Sequence, residues 1–154
     1  MAMDWELIFK ICNTWIVPFW LIIAFAPRTG LWTKIAFFGG VAPLAVVYAI
    51  LLPLIMAGIV DPVGTQEGSF QSLAGVMSLL SSKGGATIGW VHYLAFDMLV
   101  GIWIARNADS YGIHRIIQVP ILFFTLMAGP LGLVLYLIVR AFLGKGEESG
   151  LVPR

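Results

Sequence analysis

Gly89-Trp90-Val91-His92-Tyr93-Leu94-Ala95-Phe96-Asp97-Met98-Leu99-Val100-Gly101-Ile102-Trp103-Ile104-Ala105-Arg106 reads as a membrane-crossing helix with one carboxylate near its middle. From the Gly84-Gly85 pair, taken as a tight turn, to Arg106 there are about twenty residues, enough at roughly 1.5 Å rise each to cross a hydrocarbon core of about 30 Å. Asp97 then falls close to half-depth, where an ionisable side chain costs about 2.5–3.5 kcal/mol and marks a functional site. Stepping about 100° per residue puts Trp90, His92, Tyr93, Phe96, Asp97, Val100 and Ile104 on one arc, and Val91, Leu94, Ala95, Met98 and Ile102 on the other. The first arc is expected to face protein or water, the second lipid.

The rest of the chain agrees with a membrane setting. Of its 154 residues 60% are hydrophobic and 11% charged, which excludes an ordinary soluble domain, and the length admits a single membrane domain. A net charge of +1 provides no basic patch for nucleic acid. One cysteine, Cys12, excludes an intramolecular disulfide and a thiolate metal site, and reads as a small packing residue.

Span one is expected over 5–26 and carries Lys10, Asn13, Thr14 and Pro18. Lys10 and Asn13 share a face, and Glu6 sits four residues before Lys10 with the favourable order for an ion pair. After a turn at 27–30, span two covers 31–59, bent at Pro43 and Pro53. The segment 61–68 is polar and rich in breakers. Beyond it Phe70, Leu73, Ala74, Met77 and Leu80 recur at helical spacing opposite Gln71, Ser72, Ser78 and Ser82. That stretch, capped by Ser69, is too short to cross and reads as an amphipathic helix on the membrane surface or over the mouth of the helices. Span four covers 116–142, with Gly129-Pro130-Leu131-Gly132 at its centre and a kink at Pro130.

The fold class is therefore all-α: a polytopic membrane protein of four transmembrane helices plus one short amphipathic interfacial helix, in a single domain at 3–145 with a tail at 146–154. Gly150-Leu151-Val152-Pro153-Arg154 reads as the remnant of a thrombin-cleavable tag and Met1-Ala2 as a cloning addition. Four spans would place both termini on one side. Arg28, Lys34, Arg106 and Arg115 in the odd loops against Lys83, Arg140 and Lys145 lean weakly towards cytoplasmic odd loops.

Spans one and three run in the same direction, so depths compare by counting from their starts. Asn13 and Asp97 come out level, with Lys10 between His92 and Asp97, and the Pro130 break at similar depth. Lys10, Asn13, His92, Tyr93 and Asp97 are thus expected to form one polar cluster flanked by Trp90 and Phe96. Asp97 and His92 are the candidates for acid and base work on a lipophilic substrate. About 7.5 Å of helix axis separates them, too far for a direct hydrogen bond but within reach of a bridging substrate. A haem on His92 would want a second facing histidine, and His114 lies past the far end of the same span, so no cofactor is expected.

His92-Tyr93-Leu94-Ala95-Phe96-Asp97, Val100-Gly101, Trp103-Ile104-Ala105-Arg106 and Gly129-Pro130-Leu131-Gly132-Leu133 resemble the neoxanthin synthase family, known from an abscisic-acid-deficient plant mutant, and its bacterial and cyanobacterial relatives. The resemblance covers nearly the whole chain to about Leu143. For plant members it implies opening of a 5,6-epoxide of violaxanthin to the allene and tertiary alcohol of neoxanthin, an isomerisation that consumes no electrons and calls only for acid and base. It further implies a carotenoid or related isoprenoid as the lipophilic partner, and a multi-pass place in a bacterial inner membrane or a thylakoid-type membrane. Without a transit peptide the chain resembles the short prokaryotic members. The competing reading is a non-catalytic scaffold or accessory subunit, acting with a protein partner or as a homo-oligomer, in which the same polar groups fix helix packing. A small transporter or proton channel is weaker, because the far half of span three is apolar up to Arg106.

Overall fold

The computed structural model describes residues 3–27, 29–61 and 68–144. Arg28, most of the polar loop (62–67) and the expected tail and tag remnant (145–154) lie outside them, as do Met1 and Ala2. Among the described residues every regular element is helical: α1 Trp5–Phe25, α2 Gly30–Ile35, a π-helical turn Ala36–Val41, α3 Ala42–Met56, α4 Leu73–Ser81, α5 Lys83–Ser110, α6 Arg115–Met127 and α7 Gly129–Leu143.

Among the described residues three helices are long and apolar enough to cross a membrane: Trp5–Phe25, Gly30–Met56 and Lys83–Ser110. Their exposed sides carry Leu7, Ile11, Leu21, Phe38, Ile50 and Phe96, an apolar surface that calls for lipid or protein cover and supports association with a membrane. Two prolines, Pro43 and Pro53, fall in the second of these helices. Pro43 cannot donate to the carbonyl four residues earlier, and the helix widens into its π-helical turn just before it.

The chain divides into two compact units, Met1–Ile16 with Ala42–Ala95, and Val17–Val41 with Phe96–Arg154. In the first, Trp5, Leu51, Ile55 and Ile88 form the core, with Ile8, Val47 and Tyr48 packed against it. The α4–α5 junction belongs to this unit. Gly84-Gly85 does not form a turn; both residues lie in the first turn of α5. Ser82 turns the chain instead, ending α4 in extended backbone while its Oγ accepts from the Gly85 amide at 3.0 Å. Asp61 accepts from the Gly84 amide at 2.7 Å, and a side chain at either glycine would strike Asp61 or the Leu79 carbonyl. The cap of α4 is Ser72, bonded to the Gly75 amide at 3.1 Å. Ser69, the expected cap, instead accepts from Gln71 at 3.1 Å one turn earlier. The Glu6–Lys10 pair is replaced by a contact of Glu6 with Lys83 at 3.9 Å, both largely exposed.

In the second unit the expected fourth span is two helices. Ala128 takes up φ −160°, ψ 86° between α6, of 13 residues, and α7, of 15. At the start of α6, Gln118 donates to Asp109 at 2.9 Å and to the Ile113 carbonyl at 2.6 Å. At the end of α7, Arg140 lies 5.1 Å over the Tyr111 ring, and a Cβ at Gly144 would touch that ring. Gly129 meets Asp97, thirteen residues up α5 from Ser110. The two helices are therefore the arms of a hairpin that leaves the C-terminal end of α5, turns at Ala128 and comes back. Each arm is about 20 Å long, short of a full hydrocarbon core. Where the arms meet, Gly132 lies against Thr125 with no room for a Cβ.

The faces of α5 depart from the sequence expectation, although Ile104 of the inward arc is fully buried as expected and His92, Asp97 and Val100 are half-buried. Val91 and Met98 are fully buried at 0%, and Leu94, Ala95 and Ile102 nearly so, whereas Tyr93 and Phe96 are 60% and 55% exposed and Trp90 is also exposed. The expectation treated the aromatic arc as too polar for lipid. Rings with one polar atom can face acyl chains, and the small and branched residues opposite pack more closely.

Candidate functional site

Helix α5 carries both His92 and Asp97, in the first and the second unit respectively. Asp97 is half-buried. Its carboxylate lies where a side chain on Gly129 would begin, at the first residue of α7. Here the peptide dipoles of α7 present their positive end. Pro130 occupies the second position of α7, where a missing N–H costs nothing. The Ala128 carbonyl opens the new helix by accepting from Leu131 at 2.9 Å and Gly132 at 3.2 Å. Pro130 thus helps to start a helix and does not kink one.

In the other unit His92 is half-buried, its ring 5.2 Å from that of Tyr48 and 6.2 Å from that of Tyr93. It lines a cavity of about 280 Å³ with Tyr48, Phe70, Leu80 and Ile88. Asn13 and Trp90 meet: the indole Nε1 donates to Asn13 Oδ1 at 2.9 Å, and the Asn13 amide donates to the Phe9 carbonyl at 2.9 Å. Phe9 stacks on Trp90 at 5.9 Å. Lys10 is exposed.

A family model described as ABA DEFICIENT 4-like matches residues 7–136. The chain belongs to the ABA DEFICIENT 4-like family. The match takes in His92, Asp97 and the hairpin tip and connects the chain with the xanthophyll and abscisic-acid pathway. No curated protein and no solved structure matches it.

One cluster of this ABA DEFICIENT 4-like chain escaped the sequence reading. Asn107 is buried; its Oδ1 accepts from the hydroxyl of Tyr136, itself fully buried, and from Arg140 at 3.2 Å. Trp103 meets Tyr136 edge to face at 5.5 Å. The sequence reading ended the helix at Arg106, leaving Asn107 in a loop. The available signal was Gly112, which takes φ 66° and is the first residue past Arg106 suited to end a helix. Nearby, Arg115 donates to the Phe25 and Ala26 carbonyls at 3.2 and 2.9 Å, satisfying the last turn of α1. Among the described residues no three His, Cys, Asp or Glu side chains gather as a metal-ligand set.

Proposed function

We propose that the chain is a multi-pass integral membrane protein that binds a xanthophyll or related carotenoid and isomerises its 5,6-epoxide, with Asp97 as the group that moves the proton. The observation that carries this reading is the Asp97 carboxylate at the tip of the α6–α7 hairpin, set against Gly129, in a chain of the ABA DEFICIENT 4-like family. A helix broken at membrane depth leaves backbone that must be satisfied by protein or enclose a cavity, and such breaks recur at ligand sites.

The chemistry asks for one base and one acid. The base takes the vinylic proton beside the epoxide, and the C–H pair becomes the second double bond of the allene. The adjacent C–O bond breaks with its electrons going to oxygen, which the acid then protonates. Asp97 is proposed as the base. His92, half-buried beside the Tyr48 ring, is proposed as the second proton-handling group. Trp90, Tyr93 and Phe96, three residues apart on the exposed side of α5, supply rings on which a polyene can stack. Asn13 holds the Trp90 indole. Lys10 and Pro130 are retained as substrate-binding candidates, Lys10 through its long stem and Pro130 through its place at the tip.

The same Asp97–Gly129 contact would serve a protein that only holds its helices together, which keeps the scaffold reading in play. Purification from a carotenoid-producing host separates the two. Visible polyene absorbance travelling with the protein through size exclusion supports the carotenoid reading, and a colourless protein that co-purifies with a stoichiometric partner subunit overturns it.

A further inference from the structure

Within the unit formed by Val17–Val41 and Phe96–Arg154 lies a cavity of about 540 Å³, bordered by the Asn107–Trp103 cluster and lined by none of the residues proposed above to act on the carotenoid. Two cations, Lys34 and Arg106, line it, and no Asp or Glu does. Both are exposed, and neither has an ion-pair or hydrogen-bond partner among the described residues. Thr33 and Ser110 also line it, their hydroxyls donating to the Thr29 and Asn107 carbonyls at 3.2 and 2.8 Å. Phe37, on the π-helical turn, and Trp103 add apolar wall.

We infer that this cavity is a binding site for an anionic phospholipid of the surrounding membrane. Uncompensated positive charge attracts an anion, and an ammonium beside a guanidinium supplies several donors for the acceptor oxygens of a phosphate. A neutral xanthophyll has hydroxyl and epoxide oxygens to accept hydrogen bonds but no negative charge to compensate the two cations. The aromatic wall beside them suits the start of an acyl chain. The volume is that of a pocket for a drug-sized molecule, so it accommodates a head group and upper chain while the remaining hydrocarbon lies in the bilayer. Basic residues at the edge of a membrane helix are the usual readers of anionic head groups.

Native mass spectrometry of the full chain released from nanodiscs tests this. The discs contain phosphatidylglycerol and phosphatidylcholine in equal parts, with and without geranylgeranyl diphosphate. The wild type retains phosphatidylglycerol over phosphatidylcholine, and raised ionic strength weakens the preference. Lys34→Gln with Arg106→Gln lowers retention roughly 30-fold, while Lys34→Arg with Arg106→Lys preserves it and shows that the fold tolerates change there. Lys83→Gln, a cation of the other unit, leaves retention unchanged. Equal retention of the two phospholipids, retention of geranylgeranyl diphosphate in place of phosphatidylglycerol, or full retention by the double Gln variant overturns the inference.

Discussion

The carboxylate of Asp97 stands in the space that a side chain on Gly129 would fill. Two features far apart in the sequence, a lone acid in an apolar helix and a glycine after a chain break, are thereby one device. The glycine admits the carboxylate to the turn of the hairpin. The extended Ala128 frees the chain to reverse there.

Gly129→Ala should destabilise the protein by about 1–3 kcal/mol, the usual cost of forcing an extra methyl group into filled space. Thermal unfolding in detergent reads this as a lowered Tm. Pairing it with Asp97→Ala should recover part of the loss, because the second change empties the place that the first one fills. An unchanged Tm in the single variant would mean that the two residues are not in contact.

Asn107→Ala should cost more than Tyr136→Phe. The first leaves both the Tyr136 hydroxyl and the Arg140 guanidinium without their shared acceptor, worth about 1–3 kcal/mol for a buried polar group left unpaired. The second removes one donor only, worth about 1 kcal/mol. The same unfolding assay ranks them, and the reverse order would contradict the geometry.

A hairpin in place of a fourth crossing changes the expected topology. On the proposed multi-pass reading, three crossings would put the two ends of the chain on opposite sides, with Arg28, Lys34, Arg106, Arg115, Arg140 and Lys145 on one side against Lys10 and Lys83 on the other. Six against two favours that side as the cytoplasmic one, with the C-terminus in it. Reporters fused to each end should report a cytoplasmic C-terminus and an external N-terminus. Both ends on one side would restore four crossings.

The three long helices were legible because length and hydropathy suffice to find a run that can cross a membrane, and Asp97 was legible because it interrupts one. The hydrogen bond between Trp90 and Asn13 was not legible, because side-chain pairing between two helices is not encoded in the periodicity of either. The faces of α5 were misread because lipid is as apolar as a packed interior, so hydrophobicity does not say which side of a membrane helix is buried. Residues 116–142 were misread for a different reason. They are uncharged up to Arg140 and long enough to cross, while the reversal rests on the backbone of Ala128 and on close approaches at Gly129 and Gly132 that periodicity does not encode. Asn107 was lost by placing the end of α5 four residues early.

The most direct test is pigment chromatography of a host that makes a 5,6-epoxy xanthophyll and expresses either the wild type or Asp97→Asn, with protein levels matched. The substitution keeps the shape beside Gly129 and removes the base. The wild type should convert epoxide to allene, and the variant, still folded and still in the membrane, should do so at least about 100-fold more slowly, the lower range for losing a general base. Conversion by Asp97→Asn at the wild-type rate would contradict the proposed role of Asp97.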